Sequence, residues 1–156
     1  MFCASNSIYG ILGIIYSAID TDGNGFPFDV QFDLVFVANV MHHIERKDLR
    51  HVLSRIKSSM KRSGLAIIFE FNPYNPATQL LFKAVDRRYD PNAVMLKPHY
   101  LHSQLKKAGF AASRAYYTIF FPAFVSILLP LEKYMTGVPI GAQYYMIAEN
   151  KMEAQP

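Results

Sequence analysis

A single cysteine, Cys3, gives this chain of 156 residues no internal disulfide and fits a reducing compartment. No basic tract is present either: the formal net charge is +4, but the lysines and arginines are scattered, so nucleic acid is not expected as a partner. The apolar stretch Ile8 to Ile19 has no basic segment before it and no small-residue cleavage site after it, and it falls short of the ~20 residues needed to span a bilayer. Secretion and an N-terminal anchor are therefore not expected, and a cytoplasmic location is. The uncharged run AYYTIFFPAFVSILLPL is longer, but Pro122 and Pro130 interrupt it, which predicts a strand followed by a buried or interfacial segment. There is no internal repeat and no linker composition, so one domain over 1–156 is expected, with 1–20 an N-terminal segment of uncertain role.

What is present is a chain 51% hydrophobic and 18% charged, enough for a real core. QFDLVFVAN is almost continuously apolar and ends at Asn39, the pattern of a central strand buried on both faces of a parallel sheet. In ERKDLRHVLSRIKSSMKRSG, Leu49, Val52, Leu53, Ile56 and Met60 recur at helical spacing and Gly64 follows. This predicts an amphipathic helix of about three to four turns. Its outer residues Arg50, Arg55, Lys57, Lys61 and Arg62 read as a solvated face, with a phosphate-bearing partner as the alternative. LAIIFEF, Leu65 to Phe71, predicts a second buried strand closed by the breaker-rich NPYNP. Strand, helix and strand in this order make a right-handed crossover with parallel strands. Helices are predicted from Pro76 to Ala84 and from Pro98 to Lys107, with Gly109 past the end of the second. RAYYTIFF and GAQYYMIAE predict two further strands, so the fold class is α/β.

In such sheets ligands lie at the carboxyl ends of the strands, which places Ala38, Asn39, Val40 and His43 where a nucleotide-like cofactor would sit. His43 could orient or deprotonate an acceptor at neutral pH, or could serve as a cap or packing group at the turn. Glu70, ending the second strand, is a cleft candidate or a hydrogen-bonded buried carboxylate.

Two metal readings arise from spacing. Asp20 to Gln31, DTDGNGFPFDVQ, begins like a calcium-binding loop with Asp20, Asp22, Asn24 and Gly25. It then carries Pro27 and Phe28 at positions eight and nine, and Gln31 where a bidentate glutamate is required, so calcium is a minor alternative. His42, His43, Glu45 and His51 do not have the spacing of a zinc set.

The ordered segments GFPF, QFDLVFVANVMHHI, MKRSGLAIIFEFNPYNP, AVMLKP, LKKAGF, the FFP at Phe120 to Pro122, and PIGAQYYMIAE resemble the second half of class I S-adenosylmethionine-dependent methyltransferases. The likeness runs from about Asp22 to Glu149, with Phe71 where one branch carries a histidine before Asn-Pro-x-Asn-Pro. It implies a Rossmann-like sheet, incomplete at its N-terminal half, with the last strand antiparallel; the family's strand order is 3-2-1-4-5-7-6. It also implies S-adenosylmethionine as cofactor, Asp22 as acceptor from the adenine amino group with Gly23 beside it, and the Asn39 to His43 turn as lining of the methyl-donor cleft. For Asp22 the alternative is a turn residue in a Gly/Asn-rich loop.

The glycine-rich loop of such enzymes and the acidic residue that follows it are not found ahead of Asp22. This leaves two expectations: a methyltransferase, whole or truncated, acting on a small or lipid-like acceptor, or a non-catalytic remnant of the fold serving as a binding or structural module. An unpaired edge on the strand Phe32 to Ala38 would favour a homodimer, and the apolar Tyr116 to Leu131 segment would favour peripheral membrane contact.

Overall fold

The computed structural model describes residues 31–150, apart from 86, 87, 89 and 122. The predicted roles of Asp20, Asp22, Gly23 and Asn24 fall outside the described residues. Four strands, β1 (Phe32–Ala38), β2 (Met60–Phe71), β3 (Ala112–Thr118) and β4 (Gln143–Glu149), form one sheet in the order β1-β2-β4-β3. β1 and β2 are parallel, while β4 runs antiparallel to both β2 and β3, as the sequence led us to expect for the last strand.

The α-helices described include α1 (Leu49–Ser58), α2 (Pro76–Ala84), α3 (Pro98–Lys107) and the short α4 (Glu132–Met135). α2 and α3 match the sequence reading to the residue. In α2, Pro76 opens the first turn and the Asn75 side chain accepts from the Thr78 backbone N–H at 2.9 Å. α3 ends in paired reverse bonds, Phe110 N–H to Leu105 O and Gly109 N–H to Lys106 O, with Gly109 at φ +86°, a conformation in which a side chain is strained.

α1 is shorter than its apolar periodicity predicts. It stops at Ser58, and Met60 belongs to β2, so the strand begins five residues before Leu65. The early start passes through an irregularity: Phe32 pairs with Met60, but Leu34 pairs with Leu65. Ser63 takes φ +66° there, and a Cβ on Gly64 would sit 3.0 Å from Phe32 O. Gly64 therefore permits close strand approach; it does not cap a helix. Asn150 holds the irregular stretch, its amide donating at 3.1 Å to Met60 O and Lys61 O. β3 is likewise shorter than RAYYTIFF, because Ile119 turns to φ +60°.

One face of the sheet carries the core. Val37, Ala66, Ile68, Tyr144, Met146 and Ala148 are buried together with Leu49, Leu53 and Ile56 of α1 and Leu101 and Leu105 of α3. Burial pushes the Tyr144 hydroxyl far up from its usual pKa, and the phenol donates to Leu96 O at 2.8 Å. The opposite face bears a row of rings crossing all four strands, Phe36, Phe69, Tyr145 and Tyr116, with centroids about 5 Å apart. β1 is thus not buried on both faces as predicted: Leu34 is 54% and Phe36 62% exposed. Among the described residues β1 is the end strand.

The β3 to β4 connection returns at the carboxyl end of β2, since Phe71 and Thr118 both pair with Gln143. The NPYNP turn clasps it there. Asn72 donates to Gly141 O at 2.7 Å and Pro139 O at 3.1 Å, and accepts from the Tyr74 N–H at 3.0 Å. Every capacity of this fully buried amide that the turn needs is thereby met. Asn72→Ala is expected to lower stability by about 2–3 kcal/mol, because it leaves the buried Gly141 carbonyl and the part-buried Pro139 carbonyl and Tyr74 N–H without this partner. A urea midpoint unchanged within error would show that the clasp contributes nothing.

Candidate functional site

The carboxyl ends of β1 and β2 are drawn together by one carboxylate. Asn39 leaves β1 in the left-handed conformation, φ +53°, while its N–H still donates to Phe69 O at 3.0 Å. Short polar side chains tolerate that conformation better than most. The chain then folds into a single 3-10 turn, Met41–His43. Glu70, at the end of β2 and fully buried, accepts from the Met41 backbone N–H at 2.7 Å through one oxygen and contacts His42 Nδ1 at 2.8 Å through the other. An ionised carboxylate only accepts, so His42 Nδ1 carries the proton in this arrangement. The His42 ring is 1% exposed and packs against Phe71 and Phe82, each at 5.3 Å between centroids. Glu70 is therefore a hydrogen-bonded structural carboxylate that fixes the turn.

His43, the next residue, points outward. Its Nδ1 lies 2.8 Å from Asp90 Oδ2, with the side chains 41% and 30% exposed. The other Asp90 oxygen accepts from the Asn92 N–H at 2.9 Å. These two hydrogen bonds, His43's the larger influence, hold the Asp90 carboxyl below the usual carboxylate range. With Nδ1–H donating to Asp90, the remaining nitrogen of a neutral His43 ring is a proton acceptor directed away from the acid. A base held by an acid that sets its tautomer is a common arrangement for proton abstraction.

The structure brings Ala38, Asn39, Val40 and His43 to one edge, within six residues of chain. His43 is exposed at the turn, with its ring 4.1 Å from that of His42 and its Nδ1 against an acid 47 positions away. Gln143, at the start of β4, joins the same edge, its amide 3.4 Å from Asn39 Oδ1. Sequence reasoning missed His42 as the turn's anchor and Asp90 altogether. The first could have been suspected from an apolar flank around one of two adjacent histidines. The second had no local signal, because Asp90 Pro91 Asn92 reads only as a turn. Of the histidine and acid group considered for metal, Glu45 pairs with Lys47 and His51 lies exposed on α1. Among the described residues no three metal-capable side chains cluster.

No protein-family model matches the sequence, and no curated protein does. Solved structures do match. An S-adenosylmethionine-dependent methyltransferase from Archaeoglobus fulgidus superposes with a TM-score of 0.54 at 19% identity, over 76% of this chain and 59% of that one. A methyltransferase from Thermotoga maritima, described as a possible histamine N-methyltransferase, gives 0.60 at 15% identity over 80% of this chain and 59% of that one. Human N-acetylserotonin methyltransferase, solved with S-adenosylmethionine, gives 0.52 at 20% identity over 77% and 30%. The chain spans about three-fifths of the length of the first and second of these and under a third of the third. Parallel β1 and β2, antiparallel β4 and outermost β3 follow the 4-5-7-6 end of the strand order that the resemblance implies, and the chain has the fold of the class I S-adenosylmethionine-dependent methyltransferases.

Proposed function

We propose that this chain takes part in methyl transfer from S-adenosylmethionine to a small or lipid-like acceptor, at the carboxyl edge of β1 and β2. The observation that carries the reading is the His43–Asp90 pair, an exposed base with its acid, on the first turn after β1 of a methyltransferase fold. The local chemistry suits the cofactor. Ala38 is small and exposed, Val40 offers an apolar flank, and the Asn39 amide supplies polar atoms, a combination that accepts a flat nucleoside beside a backbone turn. By resemblance Asp22 and Gly23 would add the adenine contact. When bound, the cofactor supplies an electrophilic methyl group on a sulfonium.

The chain's own residues would do the rest. Asp90 holds His43 Nδ1–H, and the free nitrogen takes the proton from an acceptor hydroxyl or amine as its lone pair forms the new bond to carbon. Bound S-adenosylmethionine would give up the methyl carbon and keep the electron pair of the carbon–sulfur bond, and His43 would return the proton to water. Glu70 and His42 hold the turn so that donor and acceptor stay aligned, which supplies much of the rate in such displacements.

Exposed apolar residues on the neighbouring β3 to β4 connection, Ile127 at 86% and Tyr134 at 75%, favour an amphiphilic acceptor or a membrane surface. No helix among the described residues is long and apolar enough to cross a membrane.

Calorimetric titration of the purified chain with S-adenosylhomocysteine tests the reading. Micromolar binding is expected, weakened about tenfold or more by Asp22→Ala, the loss of one hydrogen bond to the base. A folded chain with no detectable affinity would replace enzyme with binding module. The exposed face of β1, Leu34 and Phe36, would then be the place to look for a second copy.

A further inference from the structure

Beside the His42–His43 turn lies a groove of about 340 Å³, at the small end of ligand sites. Pro73, Phe82, Val94 and Met95 give it apolar walls, and Gln79 and Lys83 of α2 add its polar groups. The groove is built into the candidate site. Val94 N–H donates to His42 O at 2.9 Å, and Ala93 N–H to Asp90 O at 3.1 Å, so one short segment carries Asp90 at one end and the groove wall at the other. Phe82 packs on His42, whose ring lies 4.1 Å from that of His43. Gln79 is fixed because its Nε2 donates to Pro73 O at 2.7 Å, which turns the amide oxygen the other way. Among the described residues no carboxylate pairs with Lys83.

Resting on the methyl-transfer reading, we propose that this groove is the acceptor subsite and that it takes an amphiphilic monocarboxylate, its apolar body between Phe82 and Val94 and its carboxylate on Lys83. The apolar walls exclude a small polar acceptor, and the Lys83 ammonium at the rim, which no described carboxylate meets, selects a single negative charge. A lysine in the last turn of α2 also suits the helix dipole, so stability is no guide to its role; ligand selectivity is.

The experiment titrates 4-phenylbutyrate, and separately its neutral amide 4-phenylbutanamide, into the full chain labelled for NMR. Saturable shifts at Phe82, Val94 and Met95 are expected, with the carboxylate bound about tenfold tighter, the scale of one charge-assisted bond. Lys83→Met should erase the preference and Lys83→Arg should keep it; Lys83 is exposed, so both variants should fold. Equal binding of the two probes, shifts elsewhere, or a preference that survives Lys83→Met would overturn the assignment. Parallel titration with S-adenosylhomocysteine separates the two ideas. A chain that binds it and ignores both probes loses only the groove, whereas one that selects the carboxylate without binding it keeps the groove as an anion site and loses the methyl-transfer reading.

Discussion

Replacing Glu70 with alanine is expected to destabilise the fold by about 3–5 kcal/mol, since removing one member of a buried, hydrogen-bonded pair leaves the other uncompensated. Both orphans are known by name. The Met41 backbone N–H and the His42 ring N–H lose their acceptor in a place that the packing of Phe71 and Phe82 closes to water. For a domain of this size the shift corresponds to roughly 10 °C or more in melting temperature. Glu70→Gln should cost far less. Its amide oxygen can still accept from Met41, and its NH2 can donate to His42 Nδ1 once the ring changes tautomer. Calorimetric melting of the two variants is decisive, and equal losses would mean that Glu70 acts through its volume alone.

His43→Ala addresses the chemistry and should spare the fold, because the ring is 41% exposed. A positioned base contributes about 10²- to 10⁴-fold to proton transfer. On the proposed methyl-transfer reading, release of S-adenosylhomocysteine with a methylated acceptor should therefore fall by that factor, with the acceptor KM little changed. A second readout needs no acceptor. The Asp90 carboxyl, held below its ordinary value of 3.8 chiefly by His43, should titrate higher in the variant, with the Asn92 N–H still holding it down in part. The sign follows from linkage. A carboxyl depressed in the folded state stabilises above its unfolded pKa, and that stability fades as pH falls through the folded value, below 3.8. The wild type should therefore lose this contribution only in strong acid, and the variant should have less of it to lose. An Asp90 titration identical in the two proteins would show that the pair does not form in solution.

Much of the scaffold was legible because its signals are local. Asn75 and Pro76 announce the start of α2, Gly109 the end of α3, and the apolar run to Asn39 the strand whose tip forms the site. Met60 misled because an apolar residue eleven positions after Leu49 fits a helical stripe as well as the first inward position of β2. Periodicity alone does not separate those two. The site was legible along one stretch of chain and at Glu70, whose partners were not. Asn39 to His43 could be placed at a sheet edge, but Glu70 and Asp90 reach it from 28 and 47 positions away, a pairing only the folded sheet and the 90–95 segment create. Which of two adjacent histidines faces inward likewise depends on where Phe82 of α2 comes to rest.

The ring row across the sheet has an optical consequence. The chain contains no tryptophan, so its near-ultraviolet signals come from tyrosine and phenylalanine. Tyr116 and Tyr145 sit nearly parallel on adjacent strands, 5.2 Å between centroids and 17° between planes, close enough for their transitions to couple. Phe69 extends the stack at 23°. Because these rings ride on β2, β3 and β4, the near-ultraviolet spectrum carries a contribution from that face of the sheet without a label, and a molecule that settles on it should alter that contribution.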